Sequence, residues 1–108
     1  MFRTKKVGYI KEEKEINPVD QFAALTNQML ETFKVKNNDY GNAFENQLNE
    51  DGAVVSKIML SFKLNRFKTL ISGVKRKVSS ESLVDTLLDM ANYCLLTIMW
   101  IQKHSKNE

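Results

Sequence analysis

The sequence predicts an all-α fold, a compact bundle of three principal helices. The chain has only four Gly and one Pro in 108 residues, which favours long helices over strands and turns. Apolar residues recur at helical spacing in three segments. The longest, 81–101, contains neither Gly nor Pro, and its apolar side chains surround nearly the whole helical wheel. Because such a helix must be buried, we expect it at the centre of the bundle.

Length and composition indicate one domain. A chain of 108 residues with 43% hydrophobic residues is near the commonest domain size and can bury a core. The highly charged segment 1–16 is predicted to be a flexible N-terminal arm, and 17–104 a single helical domain. The one cysteine, Cys94, lies among apolar residues and excludes a disulfide framework or a Cys-based zinc site.

Charge and hydropathy limit the partners. Asp85, Asp89 and Asn92 interrupt the segment 81–101, so its uninterrupted apolar part is too short to cross a bilayer. No secretory leader is visible, and we expect a cytoplasmic protein with no membrane contact. The formal charge of +3 suits an anionic small molecule. We do not expect direct nucleic-acid binding, because no basic helix carries interleaved aromatic residues.

Three helices are predicted in chain order. The first begins at Asn17-Pro18, a good N-cap followed by Pro at the first helical position, and should end near Lys36. The second runs from about Gly52 to Ser72, with Gly73 as its stop. A basic connection, either a phosphate site or a solvated loop, then leads to the third helix, with Ser79 or Ser80 as N-cap.

The segment 36–44, KNNDYGNAF, is predicted to be a turn, because Asn and Asp bond their own backbone and Gly41 tolerates positive φ. In the functional interpretation, Tyr40 stacks on a base while Asn37, Asn38 or Asp39 makes polar contacts. In the structural one, Tyr40 and Phe44 plug the end of the core and Asp39 caps a helix. Spacing alone favours the structural interpretation.

One acidic stripe interrupts the apolar third helix: Glu81, Asp85, Asp89 and Asn92, with Tyr93 beside it. Spacings of three and four place these residues on one helix face. The carboxylates are ligands that Mg²⁺ prefers, and Mg²⁺ held there would also bind a di- or triphosphate. Alternatively, Asp85 or Asp89 pairs with Lys63 or Arg66 of the second helix. One aspartate can be paired while the others are free.

Three segments carry a resemblance to a known family: 36–44, then 63–70 (KLNRFKTL), then 85–93 (DTLLDMANY). Their order and separation resemble the first type of nucleotide modification associated domain of phages and bacteria. That family resembles the MazG-like all-α nucleoside triphosphate pyrophosphohydrolases. Those enzymes hold Mg²⁺ between an E-x-x-E and a later E-x-x-D motif, usually as dimers or higher oligomers. The resemblance therefore implies a MazG-like dimeric bundle and a nucleotide-related role.

The sequence departs from the MazG pattern at both motifs. Gln28-x-x-Glu31 stands where E-x-x-E would be, and Thr86 stands where the later motif has its Glu. A site with fewer carboxylates binds Mg²⁺ more weakly. The resemblance thus supports the fold and a nucleotide-related role better than it supports catalysis.

The leading interpretation is a nucleotide-binding protein of phage or prophage type, with Mg²⁺-dependent release of pyrophosphate or phosphate from a nucleoside triphosphate as the hypothesised reaction. The alternative is a non-catalytic phage protein that sequesters a nucleotide, or that binds and inhibits a host protein in the host cytoplasm. A homodimer is expected, because the third helix has more apolar surface than two neighbours can cover. The predicted catalytic and metal-binding residues are Glu81, Asp85 and Asp89; the predicted nucleotide-binding residues are Asn38, Asp39, Tyr40, Lys63, Arg66, Asn92 and Tyr93.

Overall fold

A computed structural model describes residues 15–40, 42–73 and 79–105 of the chain. These residues form four helices, α1 Pro18–Tyr40, α2 Ala43–Asp51, α3 Val54–Ser72 and α4 Ser80–Ser105, and no strand. The all-α prediction is confirmed, with one helix more than the three that were expected. The predicted arm 1–16 lies outside the described residues except for its last two.

Helix α1 begins as predicted and ends later. The side-chain oxygen of Asn17 accepts hydrogen bonds from the backbone N–H groups of Val19 at 2.8 Å and Asp20 at 3.3 Å, which is the geometry of an N-cap. The predicted end near Lys36 is wrong, since the helix continues to Tyr40. Asn and Asp cost a helix only a few tenths of a kcal/mol each relative to average residues, so 37–39 do not end it. The predicted turn over 36–44 is therefore wrong for 36–40, which are helical, whereas Asn42 is a turn residue between α1 and α2.

Helix α2 was not predicted as a separate element. It is nine residues long and mostly polar, and Leu48 is the residue that it buries. Phe44 and Leu48 are four positions apart, so they lie on one side of the helix. Gly52 ends α2 with φ 82°, a conformation that glycine adopts without steric cost. The predicted second helix therefore begins at Val54 in α3 rather than at Gly52.

The ends of α3 and α4 match the sequence prediction closely. Helix α3 ends at Ser72 and Gly73 follows in the left-handed region with φ 58°, as a C-terminal stop requires. The N-cap of α4 is Ser79, whose hydroxyl oxygen accepts a hydrogen bond from the Ser82 N–H at 3.1 Å. At its other end α4 extends four residues beyond the predicted Ile101, to Ser105.

Helices α3 and α4 form the main packed pair of the molecule. They are antiparallel, because Ser56 of α3 meets Thr97 of α4 while Lys63 meets Asp89. The two hydroxyl oxygens of Ser56 and Thr97 are 2.6 Å apart. Thr97 donates its hydrogen to the carbonyl oxygen of Tyr93, so Ser56 is the donor to Thr97. This bond fixes the register of the two helices at a buried point.

The prediction of a compact bundle with a buried third helix is not met by the single chain. Leu48 is the one buried apolar side chain among the described residues, at 1% exposure. Helix α4, the predicted third helix, keeps half-exposed apolar residues along its length: Val84, Leu87, Leu95, Ile98, Met99 and Ile101. The physical reason is that, within the described part of the chain, α1, α2 and α3 pack against one side of α4 and leave the opposite side open.

Helix α4 is also long and apolar enough to cross a membrane, judged by length and composition alone. Core helices of soluble proteins pass the same test, so the feature is weak evidence. The prediction that α4 does not span a membrane therefore stays a prediction, argued from Asp85, Asp89 and Asn92 in its sequence.

Candidate functional site

A cleft of about 700 Å³ lies where the four helices meet. Its wall is built from the last part of α1, most of α2, the first half of α3 and the middle and C-terminal parts of α4. From α3 it takes Val55, Met59 and Lys63, and from α4 it takes residues between Asp89 and Lys103. Both sets recur at spacings of three and four, so each helix turns one face towards the cleft.

One end of the cleft carries an ion pair. The Lys63 ammonium nitrogen lies 3.1 Å from a carboxylate oxygen of Asp89, and the two side chains are 26% and 37% exposed. A second cation, Lys36 of α1, also lines the cleft, and no ion pair of Lys36 is seen in the described part of the chain. The described lining as a whole has three lysines, Lys36, Lys63 and Lys103, and two carboxylates, Glu45 and Asp89.

Aromatic and amide groups line the cleft next to this ion pair. The rings of Phe44 and Tyr93 meet edge to face, with centroids 5.0 Å apart and planes at 62°. Such a pair is favoured by the ring quadrupoles, and it joins α2 to α4. Asn92 also lines the cleft, and its amide can both donate and accept hydrogen bonds.

The opposite end of the cleft is closed by contacts between α2 and the C-terminal part of α4. The Trp100 indole N–H donates to the side-chain oxygen of Asn49 at 2.9 Å. The Lys103 ammonium lies 2.6 Å from a carboxylate oxygen of Glu45. Trp100, Lys103 and Glu45 all line the cleft, so this end combines an aromatic ring with a solvent-exposed ion pair.

The structure brings together four of the residues predicted for the site: Lys63, Asp89, Asn92 and Tyr93 line one cleft. It does not bring Glu81, Asp85 or Arg66 into that cleft, and all three are exposed. Asp89 is paired with Lys63, whereas no ion pair of Glu81 or Asp85 appears among the described residues.

The predicted metal ligands do not converge within the single chain. Glu81 and Asp89 are eight residues apart on one helix, which separates their backbones by about 12 Å along the axis. One ion cannot contact both at ordinary oxygen–magnesium distances of about 2 Å. Among the described residues, no three His, Cys, Asp or Glu side chains are grouped so that they could hold a metal.

Three of the predicted nucleotide-binding residues lie at the C-terminal end of α1. The backbones of Asn38, Asp39 and Tyr40 form the last turn of α1, but their side chains lie outside what the structure describes. Their neighbours Asn37 and Asn42 line the cleft, so this segment borders the site.

Sequence reasoning missed the α2 wall and the far end of the cleft. The signal for α2 was the pair Phe44 and Leu48 at a spacing of four. The signal for the far end was the face of α4 that starts at Asp89 and Tyr93 and continues, at helical spacing, through Leu96 and Trp100 to Lys103. Trp100 was interpreted only as part of the apolar segment 81–101, and Lys103 lies beyond that segment, so neither was considered for the site.

The chain belongs to the family called nucleotide modification associated domain 1, whose sequence profile matches residues 36–101. The match begins in the last turns of α1 and ends near the C-terminus of α4, so it contains α2, α3 and most of the cleft lining. Neither a curated protein nor a solved structure matches the chain significantly.

Proposed function

We propose that the chain binds a nucleotide in this cleft, with the phosphates at the Lys63 end. The observation that carries the proposal is the shared location of Lys63, Lys36, Asn92 and Tyr93 in one cleft. Lysine ammonium groups are point charges that bind phosphate, and amide and aromatic side chains can contact a base or sugar. The family's name, which associates it with nucleotide modification, supports a ligand of this class.

The catalytic form of this proposal is a MazG-like, Mg²⁺-dependent hydrolysis of a nucleoside triphosphate. When bound, Mg²⁺ would neutralise phosphate charge and activate water. The donor set of the single chain does not fit the ion, because Asp89 is the one carboxylate at the Lys63 end of the described cleft and it is paired. We therefore derive no step through a metal, and binding is the stronger part of the proposal.

A second candidate function is a non-catalytic role of phage or prophage type. Such a protein would sequester a nucleotide, or bind and inhibit a host protein, in the host cytoplasm. The observation that favours it is the paired, single carboxylate at the phosphate end. An assay for pyrophosphate or phosphate released from nucleoside triphosphates with Mg²⁺ distinguishes the two functions. An enzyme releases product over repeated turnovers, and a binding protein does not.

We also propose that the chain pairs with a second copy of itself through the open side of α4. Val84, Leu87, Leu95, Ile98 and Ile101 follow this side of α4 and are 44% to 49% exposed in the single chain. A contiguous exposed apolar patch of this kind marks an interaction site. The open side of α4 carries no charged residue between Leu87 and Ile101, as a self-complementary apolar interface requires.

The experiment that tests nucleotide binding is a thermal-shift panel of ribo- and deoxynucleoside triphosphates, each with and without Mg²⁺. A ligand at 100 times its Kd stabilises the folded state by roughly 2.7 kcal/mol. Lys63→Gln should weaken binding about 10- to 150-fold, because a hydrogen bond to a charged group contributes roughly 1.5–3 kcal/mol. The matched control is Lys68→Gln, an exposed lysine of the same helix outside the cleft lining. The proposal fails if no nucleotide shifts the melting temperature.

A further inference from the structure

Trp100 lies at the end of the cleft opposite the Lys63–Asp89 pair and has no part in the phosphate site. Its ring is half-buried and lines the cleft. Its indole N–H is held by Asn49 of α2, and the ring of His104 lies 4.8 Å from it, tilted by 40°. The ring is therefore fixed in position from two sides.

A fixed aromatic ring at a cleft wall has a chemical use. Every base has a π-face, and stacking on an aromatic side chain requires no particular hydrogen-bond pattern. Tryptophan offers the largest such face, and here its one polar group is already satisfied by Asn49. A base that stacks on Trp100 thus leaves no buried donor unpaired.

The distance between the two ends suits a nucleotide. Asp89 and Trp100 are eleven residues apart on α4, which corresponds to roughly 16 Å along the helix axis. That is the scale of an extended nucleoside triphosphate. The edge-to-face pair of Phe44 and Tyr93 lies between the two ends.

We infer that Trp100 is the stacking platform for the base of a nucleotide whose phosphates lie at Lys63. This inference rests on the proposed nucleotide-binding function and deepens it, because it assigns the base to α4 rather than to Tyr40. It requires a ligand with both a base and a phosphate chain, since the two ends of the cleft bind different parts of the molecule.

The test uses the fluorescence of the unmodified protein, because Trp100 is its one tryptophan. The probes are nucleoside triphosphates, with inorganic tripolyphosphate as the probe that lacks a base. Nucleotides should change the tryptophan emission with saturation at the Kd found by calorimetry, and tripolyphosphate should leave the emission unchanged. Nucleotides that bind by calorimetry without altering the emission would overturn the inference while leaving the proposed function intact.

Two variants measure the contribution of the ring by calorimetry. Trp100→Leu should weaken nucleotide binding roughly 5- to 150-fold, and Trp100→Phe, which keeps a stacking face, should weaken it less. The matched control is Phe62→Leu, which removes an exposed aromatic ring of α3 outside the cleft lining and should bind as the unmodified protein does. Equal affinity of Trp100→Leu and the unmodified protein would show that the base lies elsewhere. If no nucleotide binds to any of these proteins, the proposed function itself is wrong.

Discussion

Two opposite faces of α4 differ in the contacts that their side chains make. The face towards α2 and α3 has a partner at nearly every turn: Asp89 meets Lys63, Tyr93 meets Phe44, Thr97 meets Ser56, Trp100 meets Asn49 and Lys103 meets Glu45. Four of these five contacts involve a hydrogen bond or an ion pair. This inner face is held by polar contacts of defined geometry, which specify how the helices meet.

Among the residues that the structure describes, the outer face makes no polar contact of this kind. Val84, Leu87, Leu95, Ile98 and Ile101 follow one another at helical spacing, and each is between 44% and 49% exposed. Each exposed apolar side chain forgoes part of the roughly 1.5–3 kcal/mol that full burial contributes. The comparison teaches that the two faces differ in kind: the inner face builds the cleft, and the outer face leaves open the apolar surface that the proposed pairing would cover.

The first prediction concerns Leu48, the buried residue of α2, on the side of the molecule that the inner face of α4 faces. Leu48→Ala should destabilise the protein by about 2–5 kcal/mol, because Leu48 is 1% exposed and its removal leaves a cavity. Urea denaturation monitored by circular dichroism measures the change. Leu87→Ala on the outer face is the comparison: it should cost less, and its cost should grow with protein concentration if that face pairs with a second copy. If Leu48→Ala and Leu87→Ala lowered the free energy of unfolding by the same amount at every protein concentration, the two faces would not differ.

The second prediction concerns a charge introduced on the outer face of α4. Ile98→Glu should convert a dimer into a monomer, with the dimer Kd raised at least about 100-fold, because two charges would be buried in a symmetric apolar interface. Light scattering across micromolar concentrations measures the mass. The control is Gln28→Glu, which adds the same charge at an exposed position of α1. An unmodified protein that remains a monomer at every concentration would contradict the proposed pairing.

The sequence predicted most of the fold because its signals are local. Asn17, Gly73 and Ser79 determine helix ends through contacts within a few residues, and such contacts can be read from spacing. The missed features are of another kind. Whether 37–40 form a turn or the end of α1 depends on small propensity differences, and α2 has only Phe44 and Leu48 to mark its buried side.

The candidate site was predicted in part, for a related reason. Spacing reveals that Asp89, Asn92 and Tyr93 lie on one face of α4. Lys63 lies on α3, and the cleft contains all four residues. Spacing along one helix also placed Glu81 and Asp85 with Asp89, but residues on one face of a straight helix spread along its axis and need not converge. Trp100 and Lys103 were missed because their partners, Asn49 and Glu45, come from the helix that was not predicted.

The smallest predicted effect belongs to the ion pair at the phosphate end. Asp89→Asn should cost at most about 1 kcal/mol of stability, because a pair that is partly open to solvent contributes little. The same change removes a negative charge beside the proposed phosphate position and frees Lys63. Nucleotide binding without Mg²⁺ should therefore become tighter, by roughly fivefold or less, which corresponds to about 1 kcal/mol for two charges near 4 Å in a watery environment.

The control for this prediction is Asp85→Asn, an exposed carboxylate one turn away on α4 that does not line the cleft. It should change neither stability nor binding. Calorimetry and denaturant melts, each with and without Mg²⁺, measure both quantities for the two variants. A loss of about 3–5 kcal/mol in Asp89→Asn would show a pair that behaves as fully buried. A loss of Mg²⁺-dependent stabilisation in that variant alone would instead assign Asp89 to a metal, and would favour the hydrolytic form of the proposed function over simple binding.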